Sequence, residues 1–95
     1  MGREENLMPP RSEIKPKVIK AIAKLVQKPE DEVKENDRLW EDLDMGPASR
    51  KAMAKPYTEI SMKYPAGKRI SMASAGALKT VKESVDLVLK KANGD

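Results

Sequence analysis

Apolar residues recur at steps of three and four positions in two stretches of this chain, one near each end. In the first stretch the repeating residues are Ile14, Val18, Ala21, Ile22, Leu25 and Val26. In the last stretch they are Val81, Val85, Val88, Leu89 and Ala92. This spacing places one apolar stripe along an α-helix that packs against a core. No stretch alternates apolar and polar residues as a strand would, so the pattern predicts an all-α chain.

Local signals give the ends of these two helices. Ser12 is a predicted N-cap, and Lys28-Pro29 stops the first helix, which gives a range of about 13–27. The opposite face carries lysines, which we interpret as a solvated surface. Thr80 and Glu83 match a capping box at the start of the last helix, and Asn93-Gly94 ends it.

The middle of the chain predicts one further long helix and one short helix. Met53, Tyr57, Ile60 and Tyr64 share a helical face, but Pro56 lies within it and predicts a kink or a split near Lys55. The small residues between positions 71 and 78 fit a short, weakly stabilised helix. Val33, Leu39 and Leu43 are spaced as apolar anchors of a long loop, and Trp40 is expected to be partly buried.

Together these elements predict a small four-helix bundle with three main helices and one short helix. Residues 1–11 show no apolar period and contain Pro9-Pro10, so we expect a flexible tail there and one helical domain over 12–95.

Composition excludes several classes of function. The 95 residues contain no Cys and no His, which removes thiol nucleophiles, Ser-His relays and Cys/His zinc sites. We therefore expect no catalytic residues and no metal ligands of these kinds, because an active site of the usual type is hard to build from the remaining side chains. No apolar run reaches the roughly 18 residues of a membrane span, so we expect a soluble, cytoplasmic monomer.

Charge is divided between two neighbouring segments of the chain. Acidic residues dominate between Glu30 and Asp44, and basic residues dominate between Arg50 and Arg69, within a net charge of +4. Such a basic segment can attract an acidic protein or a nucleic acid. Specific base reading is not expected, because only Tyr57 and Tyr64 could stack on bases there. A membrane-surface role for the lysine face is a weaker alternative, since helices in small bundles normally turn their apolar face inward.

Ser49 is the serine with the most informative position. It follows the Gly46-Pro47-Ala48 break and precedes a basic helical run, so a helix N-terminus is expected there. Unpaired N–H groups at such a terminus favour a phosphate group. A simple N-cap is the alternative interpretation of the same residue.

The chain resembles the acyl carrier protein family over roughly residues 12–93. The likeness rests on three stretches: KPEDEVKENDRLWEDLDM with its Leu-x-x-Asp-Leu ending, Ile70 followed by Leu78-Lys79-Thr80-Val81, and the closing VKESVDLVLKKANG. The resemblance implies a non-catalytic carrier that serves fatty-acid, lipid or polyketide-type synthesis. A 4'-phosphopantetheine arm on a serine at the start of the second helix would hold acyl groups as thioesters.

The resemblance also implies sites and partners. Ser49 would carry the arm, and Arg50, Lys51, Met53, Lys55 and Tyr57 of the second helix would contact partner proteins. Those partners would be a phosphopantetheinyl transferase and acyl-transferring or synthase enzymes.

The attachment motif differs from that of the family, which has Asp-Ser-Leu shortly after Asp-Leu-Gly. A gapless alignment puts Pro47 at the serine position, and a shift of two residues puts Ser49 there, between Ala48 and Arg50. The second helix is also basic here, whereas typical members are acidic. Two interpretations stay open: a divergent carrier with its arm on Ser49, or a carrier-like binding module that has no arm and uses its basic helix to contact an acidic partner or nucleic acid.

Overall fold

The computed structural model describes residues 8–95. Within this range the helices are α1 (Arg11–Val26), α2 (Pro47–Ala52), α3 (Ala54–Ser61), α4 (Met72–Gly76) and α5 (Val81–Ala92), with a 3-10 turn at Glu30–Glu32. Only Met53 separates α2 from α3, so these two segments form the second helix of the bundle. The predicted small all-α fold is confirmed.

The first helix begins earlier than the sequence suggested. Pro10, and not Ser12, is the N-cap, and its carbonyl accepts hydrogen bonds from the N–H groups of Glu13 and Ile14. Arg11 is already helical and Pro9 is buried, so the described end of the predicted tail belongs to the folded domain. The first seven residues of that tail lie outside the described range.

Pro56 splits the second helix, and the break falls at Met53. A proline has no N–H to donate to the carbonyl four residues earlier, and its ring crowds that carbonyl, which here belongs to Ala52. The first segment accordingly ends at Ala52. In α3 Pro56 occupies the first turn, where a missing N–H leaves no intrahelical hydrogen bond unmade.

Three helices hold the core. Helix α1 packs against α3 and α5, and α3 also packs against α5, whereas α2 lies mainly against α4. Most of the apolar stripe residues predicted from sequence are buried here, with Ile14, Val18, Ile22, Val81, Val85 and Val88 at 0% exposure, but Leu25 at the end of the α1 stripe is exposed. Helix α2 has no buried residue.

The long loop before α2 is fixed by the anchors that the sequence predicted, since Val33, Leu39 and Leu43 are all buried. The loop also pairs with the chain before α5: the Leu39 N–H donates to the Lys79 carbonyl at 2.8 Å. This pairing modifies the expected capping box. Thr80 Oγ1 accepts from the Glu83 N–H at 3.1 Å, but the Glu83 carboxylate accepts from the Lys79 N–H, not from that of Thr80.

Candidate functional site

The start of the second helix is positioned by buried residues of the preceding loop. Met45 is fully buried and its N–H donates to the Leu39 carbonyl at 2.8 Å. Asp44 adopts a left-handed backbone with φ of 57°. Gly46 then serves as the N-cap of α2, and Pro47 is its first helical residue.

Ser49 is therefore the third residue of α2 and not its N-cap, which corrects the capping interpretation. Successive residues of an α-helix are about 100° apart, so Ser49 lies about 200° around the axis from Pro47. Ser49 is half-buried, whereas Pro47 is exposed. It lines a pocket of about 260 Å³ together with Leu25 and Val26 at the end of α1, Lys28 just beyond that end, and the loop residues Leu43, Asp44 and Met45.

Arg50 contacts an aromatic ring. Its guanidinium lies 5.0 Å from the centre of the Trp40 ring, a cation–π distance. Arg50 is half-buried by this contact, and within the described chain its Nε atom is buried without a hydrogen-bond partner. Trp40 itself is 52% exposed, so it lies at the surface over Arg50 and does not cap the core.

Two of the five residues predicted to contact partners are in the core. Met53 is 1% exposed and Tyr57 is 0% exposed. The apolar face that they share turns inward, so the structure corrects their assignment to a docking surface. Lys51 and Lys55 are exposed as that assignment requires. Burial raises the pKa of Tyr57, and its hydroxyl has no hydrogen-bond partner within the described residues that satisfies distance and angle.

A groove between α1 and α3 was not predicted from the sequence. It has a volume of about 680 Å³ and an apolar floor formed by Ala21, Leu25, Pro56 and Ile60, with the buried Met53 also in its lining. Its rim carries Lys17, Lys20, Lys24 and Lys63, with Glu59 as the acidic lining residue. The lysine spacing on α1 is visible in the sequence, but only the fold shows that α3 lies beside it.

Tyr64 connects the two sides of this groove near one end. The Lys17 ammonium donates to the Tyr64 hydroxyl at 2.9 Å, and that hydroxyl donates to Glu13 at 2.6 Å. Partial burial, together with the hydrogen bond to Glu13, raises the pKa of Tyr64. Tyr64 was predicted on the helical face of Met53, Tyr57 and Ile60, but α3 ends at Ser61, so these contacts fix the start of α1 against the turn that follows α3.

A cluster of charged groups ties α1 to the long loop. Glu35 pairs with Arg11 and with Lys15, the latter at 2.9 Å, and Arg11 also reaches Asp86 of α5 at 3.1 Å. Hydrogen bonds from the two cations lower the pKa of Glu35 to about 2. The cluster is structural in character, since its charges satisfy one another.

Among residues 8–95 no group of acidic side chains is arranged to hold a metal ion, and no helix there is long and apolar enough to cross a membrane. Comparisons with protein-family models, with curated proteins and with solved structures found no match to this chain.

Proposed function

We propose that this chain is a non-catalytic, carrier-like helical module that binds a protein partner through its basic face and works without a prosthetic arm. The observation that carries the proposal is the identity of the first residue of the second helix. That residue is Pro47, which has no hydroxyl to which a phosphodiester could be joined.

The side of α2 on which Ser49 lies also supports a module without an arm. A tethered arm must leave the protein surface and reach partner enzymes, so its serine needs an outward-facing hydroxyl. Ser49 is half-buried and faces the end of α1, about 200° around the helix from the exposed Pro47. The pocket beside it also contains Asp44, whose carboxylate would repel an attached phosphate.

The basic surface supports a binding role. Lys51 and Lys55 project from the second helix into solvent, and more lysines border the groove between α1 and α3. The sequence has no Cys or His, so this surface has neither a thiol nor an imidazole for catalysis. Positive charge at exposed positions attracts acidic partners and speeds their encounter.

Intact-mass measurement tests this function. The purified protein is incubated with coenzyme A and a broad-specificity phosphopantetheinyl transferase, beside a typical acyl carrier protein as the positive control. We expect the positive control to gain one arm and this chain to keep its mass. A variant with Gly46→Asp, Pro47→Ser and Ala48→Leu rebuilds the Asp-Ser-Leu motif at the start of α2, and a mass gain in this variant alone would identify the lost motif as the cause.

The second candidate function is a divergent acyl carrier with its arm on Ser49. It is favoured by the open pocket beside that serine, in which Lys28 could accompany a phosphate. Under this alternative the unmodified wild-type sequence gains one arm, Ser49→Ala abolishes the gain, and acyl-transferring or synthase enzymes become the partners. That result would overturn the proposal of an armless module.

A further inference from the structure

The groove between α1 and α3 combines an apolar floor with an edge of positive charge. Leu25 is 39% exposed, and Ile60 and Pro56 are half-buried, so apolar surface faces solvent along the floor. The groove is open along its length and is not an enclosed cavity. The apolar floor of the groove is shielded from water only when a bound molecule covers it.

The charges on the rim are free to interact with a partner. Lys20, Lys24 and Lys63 are exposed, and in the described part of the chain none of the three has a carboxylate within salt-bridge distance. Lys17 is held by Tyr64, and Glu59 is the acid that faces them across the groove.

We propose that this groove binds an acidic amphipathic α-helix of a partner protein. The inference deepens the proposed function and rests on it, because it names the surface and the kind of partner. Lys20 and Lys24 lie one turn, about 6 Å, apart on α1, which matches carboxylates one turn apart along the edge of a partner helix, and Lys63 adds a free charge on the α3 side of the groove. Apolar side chains of that helix at every third or fourth position would cover Leu25, Pro56 and Ile60.

The number of charges argues against a single-chain fatty acid as the occupant. One carboxylate would pair with one lysine and leave the other rim lysines without a counter-charge. An open groove would also leave much of an alkyl chain in water. A helix with several carboxylates satisfies both the row of lysines and the apolar floor.

A designed peptide tests the inference directly. The probe is a synthetic amphipathic helix of about 16 residues, with leucines at i, i+3, i+4 and i+7 and glutamates beside them. A second peptide of the same composition has its leucines scrambled around the helix. Binding is measured on the 95-residue protein by ¹⁵N chemical-shift titration, which also maps the residues that respond.

Two charge-reversal variants separate the groove from general attraction. Lys20→Glu with Lys24→Glu changes the rim, and Lys79→Glu with Lys82→Glu makes the same change of net charge at exposed positions near the start of α5, outside the groove lining. We expect the rim variant to weaken binding at least about tenfold and the control variant to weaken it by no more than about twofold. Shifts should concentrate on α1 and α3, and the scrambled peptide should bind more weakly.

Several results would overturn the inference. One is that both charge-reversal variants weaken peptide binding equally, and another is that the acidic peptide does not bind at all. A third is that dodecanoate or duplex DNA displaces the peptide at a concentration lower than that of the peptide itself. Self-association that disappears in the rim variant would instead assign the groove to a second copy of the chain. The outcome is independent of the transferase assay, because an arm on Ser49 would overturn the armless function without changing how the two charge variants bind the peptide.

Discussion

Thr58 of α3 holds the loop before α4 through both of its hydrogen-bonding functions. Its hydroxyl donates to the Ile70 carbonyl at 3.2 Å and accepts from the Ile70 N–H at 2.9 Å. The Ile70 side chain is 2% exposed, so this contact fixes an apolar anchor in the core. Thr58→Val keeps the shape of the side chain but removes both bonds. We expect a loss of about 2 kcal/mol in the free energy of unfolding, from two bonds worth about 1 kcal/mol each.

The assay is urea unfolding followed by circular dichroism at 222 nm, with thermal unfolding in parallel. A loss of that size corresponds to a fall of about 10 °C in the midpoint for a domain of this length. Thr58→Ser is the matched control, because it keeps the hydroxyl and removes only a methyl group. If Thr58→Val unfolds within about 0.5 kcal/mol of the wild type, or if Thr58→Ser is equally destabilised, the hydroxyl does not hold the loop as the geometry implies.

Three other stability predictions follow from the structure. Tyr57→Phe should leave stability unchanged or raise it by up to about 1 kcal/mol in the same urea assay, because it removes a buried hydroxyl without a good partner. A loss of stability would instead indicate that the hydroxyl bonds to the neighbouring Ser84 side chain. Gly67→Ala should cost about 2–3 kcal/mol, since the new Cβ would lie 1.8 Å from the Ser61 carbonyl oxygen. Gly46→Ala meets nothing within 4 Å and should cost less than about 1 kcal/mol, the part that comes from alanine being a poorer N-cap than glycine. Glu35→Gln should cost about 1 kcal/mol at pH 7 after allowance for solvent screening of the partly exposed ion pairs. The pKa of Glu35 falls from 4.5 to about 2 on folding, so its contribution is full above pH 4.5 and lost as the pH falls toward 2, and the difference between Glu35→Gln and wild type should close over that range in urea titrations.

The sequence predicted the helices of the core well, because a stripe with the helical period directly reports a buried face. The valines of α5, together with Ile14 and Ile22 of α1, are examples, and all are buried. Helix starts were less predictable. Ser12 has a good capping side chain, but Pro10 supplies a carbonyl and a suitable backbone angle, and Arg11 gains partners in Glu35 and Asp86 only after folding.

The spacing of apolar residues could not predict which residues of the candidate site are exposed or how the helices around it are placed. A repeat shows that Met53 and Tyr57 share a face, but it does not show whether that face meets a partner or the core. The side of α2 on which Ser49 lies depended on the exact first helical residue, and a shift of two positions reverses it. The groove required the position of α3 relative to α1, which lysine spacing along one helix cannot supply.

Helix α2 has no fully buried residue, so the fold constrains the packing of its side chains less than it constrains those of α1, α3 and α5. The core formed by α1, α3 and α5 would tolerate many different residues at positions 47–52. Substitutions at positions 47–52 should therefore change the charge and the hydroxyl groups of this surface while the scaffold stays intact. The residues that determine the fold are thus largely separate from the residues that determine the chemistry of this surface.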